Sequence, residues 1–269
     1  MLSVSLTQKV SPFQWSGDIP STFGTLSAQV RAGLNMMLTY PYWNSDTGGF
    51  FGGNTSDPVG SGFAELQVRW FQFSIFTSIT RLHGTRIPGE APNSVPLQAQ
   101  CDPTGASGGP IEPWVLGDEA YLAVKAALAL RQQWRPYLKA QVALLASHGT
   151  PVMRPLWFDF AQDEAALDVE DQFMFGESAQ TPRLNWGKPE PVRRGAGPDY
   201  MVAPVLQPRQ DLADVAGSTV RSVYFPKAPP GGTVRYTHHF TNQSYAAGST
   251  AQVPVPKLGE FPLFVVSRA

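Results

Sequence analysis

The chain has 269 residues, 42 % of them apolar and only 15 % charged, with a formal net charge of −1. That is enough apolar side chain for a sizeable core, in one large domain or two smaller ones, and it excludes a disordered chain. It leaves no basic stripe to capture nucleic acid and no run of about 18 apolar residues to span a membrane.

The predicted elements begin after an N-terminus that lacks the charged start and long apolar stretch of a signal peptide. Thr22 to Arg31 has helical spacing, with Leu26 and Val30 four apart. Gly33 to Tyr40 is a mostly apolar run that stops at Pro41, as a buried parallel strand would. Glu65 to Phe76 reads as a helix with Leu66, Trp70 and Phe73 on one side, and Ser78 to His83 as another short strand. Residues 88–113 are a Pro/Gly/Ser-rich loop. Asp118 to Ser147 is a long amphipathic helix that Pro136 should kink or break, because proline removes a backbone donor.

The texture changes near residue 150. Beyond it, strand-like runs at 173–175, 200–206, 220–226, 233–240, 251–255 and 261–266 are separated by Pro and Gly, the pattern of an antiparallel β domain. Residues 177–198 read as an irregular insertion. The expected organisation is α/β over residues 1–150, with alternating strands and helices, and β-rich over 151–269. Parallel architectures of the first kind place their chemistry at strand C-termini.

Candidate site residues fall where such strands would end. Asp18 lies in Trp15-Ser16-Gly17-Asp18. A carboxyl beside an indole is poorly solvated and suited to donating a proton. The competing role for Asp18 is capping the helix that starts near Pro20. Asp46 lies in Tyr42-Trp43-Asn44-Ser45-Asp46-Thr47-Gly48-Gly49-Phe50-Phe51. Aromatics flank it, and a carboxylate there could accept from two neighbouring sugar hydroxyls; the competing role is an ordinary turn aspartate before Gly-Gly. Two such carboxyls invite a glycosidase reading. His83 could donate to a sugar hydroxyl or be structural. Arg69 and Arg154 are ion-pair candidates. Seven Trp and sixteen Phe suit either a core or stacking on sugar rings.

Other chemistries find no support. The single cysteine, Cys101, permits no intrachain disulfide and no cysteine-based metal site, and the four histidines lack metal-ligand spacing. No cofactor is implied. Asn54-Thr55-Ser56 and Asn242-Gln243-Ser244 are glycosylation sequons, which arise often by chance.

The motifs resemble glycoside hydrolase family 31. Those that carry the likeness are Trp15-Ser-Gly-Asp18, Arg31-Ala-Gly-Leu34, Tyr42-Trp-Asn-Ser-Asp46-Thr-Gly-Gly-Phe50, Glu65-Leu-Gln-Val-Arg69-Trp-Phe-Gln-Phe73 and Arg81-Leu-His83-Gly84. Arg135-Pro-Tyr137, Pro151-Val-Met-Arg-Pro155, Gln172-Phe-Met-Phe-Gly176, Val202-Ala-Pro-Val205 and Val223-Tyr-Phe-Pro226 follow in order. The resemblance implies the second half of a (β/α)8 TIM barrel followed by an antiparallel β-sandwich-like domain. It implies retaining hydrolysis of α-glucosides or α-xylosides, so the partner is an α-linked oligosaccharide or glycoside. It gives Asp18 the general acid/base role, with Trp15, Trp43, Asp46, Phe50 and His83 binding substrate. The segment around Tyr42-Trp43 and Gly-Gly-Phe-Phe-Gly-Gly leans toward α-xylosidases. Asp46 is then a binder and not the nucleophile.

Two departures stand out. The family's nucleophile is an aspartate well upstream of the Trp-x-Gly-Asp segment, and residues 1–17 do not supply it. The arginine the family carries shortly before that segment is replaced by Ser5-Leu-Thr-Gln-Lys-Val10. A retaining enzyme needs two carboxyls about 5–5.5 Å apart, so the expectation is a chain inactive alone, poorly soluble through unpaired strand edges. The alternative is a non-catalytic carbohydrate-binding or regulatory derivative of the same fold.

Overall fold

The computed structural model describes residues 13–38, 40, 42–86, 109–148, 150–176 and 199–269. The expected features at residues 1–12, in most of the loop 88–113 and in the insertion 177–198 lie outside the described residues.

The first ladder is short. β1 (Gln14–Trp15) pairs in parallel with β2 (Trp43–Asn44), and α1 (Phe23–Met37) connects them. Thr22 caps α1: its backbone is extended and its Oγ1 accepts from the Thr25 amide at 3.0 Å. Leu26, Val30, Leu34 and Met37 form the buried stripe of α1, while Arg31 and Asn35 are exposed. The strand expected over 33–40 is therefore the last turns of this helix. A short apolar run cannot by itself separate a buried strand from a buried helical segment, and here the burial follows the 3.6 period. Gly33 is where α1 meets β2, since a Cβ there would lie 2.6 Å from the Trp43 ring.

α2 (Phe63–Ser74) is buried on nearly every side, with Glu65 its one residue left partly exposed. The strand expected over 78–83 reduces to a single parallel bridge, Thr47 to Leu82. The stretch before it is held as a knot instead. The Thr77 and Thr80 hydroxyls both donate to the Ser74 carbonyl, at 2.7 and 2.6 Å, which competes with strand formation. α3 (Asp118–Gln133) and α4 (Arg135–His148) are separated at Trp134, two residues before Pro136.

Beyond residue 150 every pairing among the described residues is antiparallel. The remaining elements are β3 (Met153–Pro155), α5 (Leu156–Asp159), α6 (Glu164–Leu167), β4 (Phe173–Phe175), β5 (Asp199–Val202), β6 (Ala213–Val215), β7 (Ser218–Phe225), β8 (Val234–His238), β9 (Ser244–Ala246), β10 (Ser249–Pro254) and β11 (Leu263–Arg268). They form a six-stranded sheet, β3-β4-β5-β11-β8-β9, and a three-stranded sheet, β10-β7-β6.

Alternation decides which core each side chain enters. Phe173, Phe175, Tyr200, Val202 and Leu263 leave one face of the larger sheet and join the helices in one core cluster. Met174, Met201, Phe264 and Val266 leave the other face and meet Val223, Phe225 and Val253 of the smaller sheet. The first cluster thus runs across residue 150. Two polar side chains of α2 reinforce that junction. Gln72 donates to the Leu258 carbonyl at 2.8 Å, and Arg69 donates to the Leu258 and Glu260 carbonyls at 3.4 and 3.3 Å. Burial lowers the Arg69 guanidinium to about 10, with Glu65 opposing it. Among the described residues no helix is long and apolar enough to cross a membrane.

Candidate active site

Three segments lie side by side and run the same way: 14–21, 43–51 and 81–85. Beyond β1 and β2 they are joined by single contacts. The Phe50 amide donates to the Ile19 carbonyl at 2.7 Å, the Ser21 amide to the Phe51 carbonyl at 2.8 Å, and the Thr85 amide to the Phe50 carbonyl at 2.8 Å. Asp18, Asp46, Phe50 and His83 all sit on the continuations of these segments past their paired residues.

Asp46 is the buried centre. Its side chain is fully enclosed, and Oδ1 pairs with the Arg81 guanidinium. Its amide donates to Ser16 Oγ at 3.2 Å, which ties it to the segment carrying Asp18. Oδ2 is buried with no hydrogen-bond partner among the described residues, and the same holds for both amide atoms of Asn44. A buried polar atom left unsatisfied costs about 1–3 kcal/mol. Such atoms close to a rim are where a ligand's hydroxyls would be accepted.

The rings of Phe50 and His83 are brought together, their centroids 5.2 Å apart, and His83 is exposed. Asp18 is exposed too, and Gly17 before it adopts φ +71°, a turn that favours glycine. Trp15 is 49 % exposed. The water-excluding indole wall expected for Asp18 is therefore not closed by the described residues. The capping role for Asp18 is corrected as well, because Thr22 is the cap of α1. Trp43 is corrected from site to support: only 2 % exposed, it packs in the core against Gly33 and at 6.5 Å from Phe73. Its ring has no surface left for a sugar.

Two arginines went unnoticed as site residues in the sequence. Arg81 pairs with Asp46. Arg86 is buried and donates to the Gly49 carbonyl at 2.8 Å and to the Phe50 carbonyl. Burial lowers its guanidinium to about 10, with Asp46 opposing. The available signal was their spacing about His83, in Arg81-Leu82-His83-Gly84-Thr85-Arg86, within a chain poor in charge. Among the described residues no group of His, Cys, Asp and Glu could hold a metal ion.

This arrangement has known counterparts. The glycosyl hydrolases family 31 TIM-barrel domain profile matches residues 4–141, and the family's C-terminal domain profile matches residues 149–179. The chain belongs to glycosyl hydrolase family 31. An α-xylosidase of Saccharolobus solfataricus is 37 % identical over 170 residues, covering 63 % of this chain and 20 % of that protein. Alpha-xylosidase A of Aspergillus niger is 29 % identical over 266 residues, covering 96 % of this chain and 31 % of its own length. Among solved structures, a family 31 α-xylosidase from a soil metagenome, complexed with xylose, is similar with TM-score 0.67 and 35 % identity, over 93 % of this chain and 31 % of that one. The chain thus spans roughly a fifth to a third of the length of these relatives.

Proposed function

We propose that this family 31 chain is the acid-bearing portion of a retaining α-glycosidase acting on α-xylosides or α-glucosides. Residues 1–150 would form the second half of the catalytic barrel and 151–269 the sandwich-like domain packed on it. The observation that carries the reading is the side-by-side run of three parallel segments that present Asp18, Asp46 with Phe50, and His83 on successive continuations. That is the placement a parallel barrel gives its chemistry.

In this reading Asp18, exposed at the rim, protonates the leaving oxygen and later deprotonates water. The free Oδ2 of Asp46 accepts from a sugar hydroxyl, while Arg81, paired with Oδ1, orients that carboxylate. Phe50 offers an apolar face to the pyranose, and His83 beside it donates to a hydroxyl. Trp15 completes the wall once a sugar covers it. The nucleophile comes from a segment outside residues 13–269. The α-xyloside preference is supported by the names of the relatives reported above.

The test is complementation. The chain is incubated with 4-nitrophenyl α-D-xyloside and α-D-glucoside, alone and mixed with a polypeptide bearing the upstream barrel segment of the Aspergillus niger relative. Turnover is expected only in the mixture, and Asp18→Asn should abolish it. Turnover by the chain alone, lost in Asp18→Asn, would show that the fragment reading is wrong.

A further inference from the structure

The loop that carries Asp46 rests on one face of α2. Positions 67, 70 and 74 are three and four apart, so they stand above one another along the helix. Each meets a different residue of the loop. The Trp70 indole N–H donates to Ser45 Oγ at 2.8 Å. The Ser74 and Thr47 hydroxyls share a hydrogen bond of 2.9 Å. The Gln67 side-chain amide donates to the Gly48 carbonyl at 3.2 Å. All of these groups are buried. Ser45 and Thr47 immediately flank Asp46, and Gly48 follows at φ +88°, where a Cβ would sit 2.1 Å from the Gln67 amide.

From the other side the loop is held by its neighbours. The Asp46 amide donates to Ser16 Oγ, and the Thr47 amide to the Arg81 carbonyl, both at 3.2 Å. The Asp46 backbone is therefore gripped from the helix and from both adjacent segments. Its carboxylate makes one ion pair and keeps one oxygen free.

We propose that Gln67, Trp70 and Ser74 are positioning residues, and that this face of α2 sets the direction in which the Asp46 carboxylate meets its ligand. A buried polar side chain needs a partner, and Ser74 could have found one in a carbonyl of its own helix. All three instead reach the same four-residue loop. The proposal rests on the sugar-site reading of Asp46 for its binding consequence, and on the geometry alone for the rigidity of the loop.

The experiment uses the 269-residue chain and two readouts. Amide hydrogen exchange follows Asp46, Thr47 and Gly49, with Phe264 in the β11 ladder as reference. Calorimetric titration measures affinity for methyl α-D-xyloside. Ser45→Ala and Ser74→Ala should each speed exchange at residues 46–49 roughly tenfold, leave Phe264 unchanged, and weaken the sugar roughly three- to tenfold, as loss of one buried hydrogen bond implies. Ser74→Thr should restore both. Trp70→Phe should act like Ser45→Ala, and combining the two should add little. Unchanged exchange at 46–49 in both alanine variants overturns the proposal. Acceleration that Phe264 shares overturns it too, because the contacts would then serve general stability. If the wild-type chain ignores the xyloside while loop exchange responds as expected, positioning stands and the sugar-site reading fails.

Discussion

The helical region before residue 150 and the β region after it satisfy their backbones in opposite ways. In the first, parallel pairing among the described residues is limited to β1 with β2 and to isolated bridges, and helices do most of the burying. In the second, β11 is paired on both sides, by β5 over Leu263–Val266 and by β8 over Phe264–Arg268. Their buried charges differ in the same sense. Arg154 with Asp159, and Arg268 with Asp199, form ion pairs enclosed within the β region. Asp46 is paired with an arginine that is 38 % exposed, and it holds an unpartnered oxygen. Both regions keep buried charged atoms without a partner, Asp159 Oδ1 and Arg268 Nη2 in the second and Asp46 Oδ2 in the first. What sets Asp46 apart is that its arginine partner reaches solvent, whereas both members of the β-region pairs are enclosed.

The largest expected effect tests the scaffold. The Arg154 side chain is fully buried, donates to Asp159 at 2.9 Å and to the Pro151 carbonyl at 3.0 Å, and also reaches the Gly176 carbonyl. Arg154→Ala should cost about 3–5 kcal/mol, because it leaves a buried carboxylate without its partner. Urea denaturation reads this directly. A loss below about 1 kcal/mol would break the contrast between the two regions.

A smaller effect should appear with pH. Burial raises the Asp199 carboxyl to about 6, against the pull of Arg268 and Arg154 and with a contribution from Asp159. A raised folded-state value means the native chain holds its proton longer than the unfolded chain does. Stability from this group is therefore full below about 4 and is lost as pH rises to about 6, by at most about 3 kcal/mol. The stability of the wild type relative to Asp199→Asn should fall across that window and stay flat above it. A difference independent of pH between 4 and 7 would mean the pair with Arg268 outweighs burial.

These regions were not equally legible in the sequence. The strand 173–175 and five of the strands after residue 199 were readable within a few residues, because Pro and Gly bound each run and side chains alternate between two cores, whereas β6 and β9, short and largely exposed, were not anticipated. The run 33–40 was misread because its Pro41 stop looks alike at the end of a buried strand and of a buried helix. Trp43 was read as a sugar contact, since an aromatic near a carboxylate carries the same local pattern whether it faces ligand or core. Motifs mark Asp46, Phe50 and His83 as candidates, and the structure gathers them on neighbouring segments. Arg81 and Arg86 could have been noticed from their spacing about His83, but the row Gln67, Trp70 and Ser74 could not, because its partners are set by how distant segments pack and no local spacing encodes it.

The smallest expected effect bears on Asp18 itself, whose local sequence suits a helix cap as well as an acid. In the structure Thr22 Oγ1 takes the Thr25 amide, and Asp18 stands four residues earlier, exposed. Thr22→Ala should then cost about 1 kcal/mol of stability. Asp18→Asn should change it by less than about 0.5 kcal/mol, as a surface substitution without a structural partner does. Thermal unfolding of both variants beside the wild type separates the roles. Such an outcome leaves Asp18, exposed and past the end of β1, free for the role proposed above. Equal losses in the two variants would return Asp18 to the helix end and leave the rim without its acid.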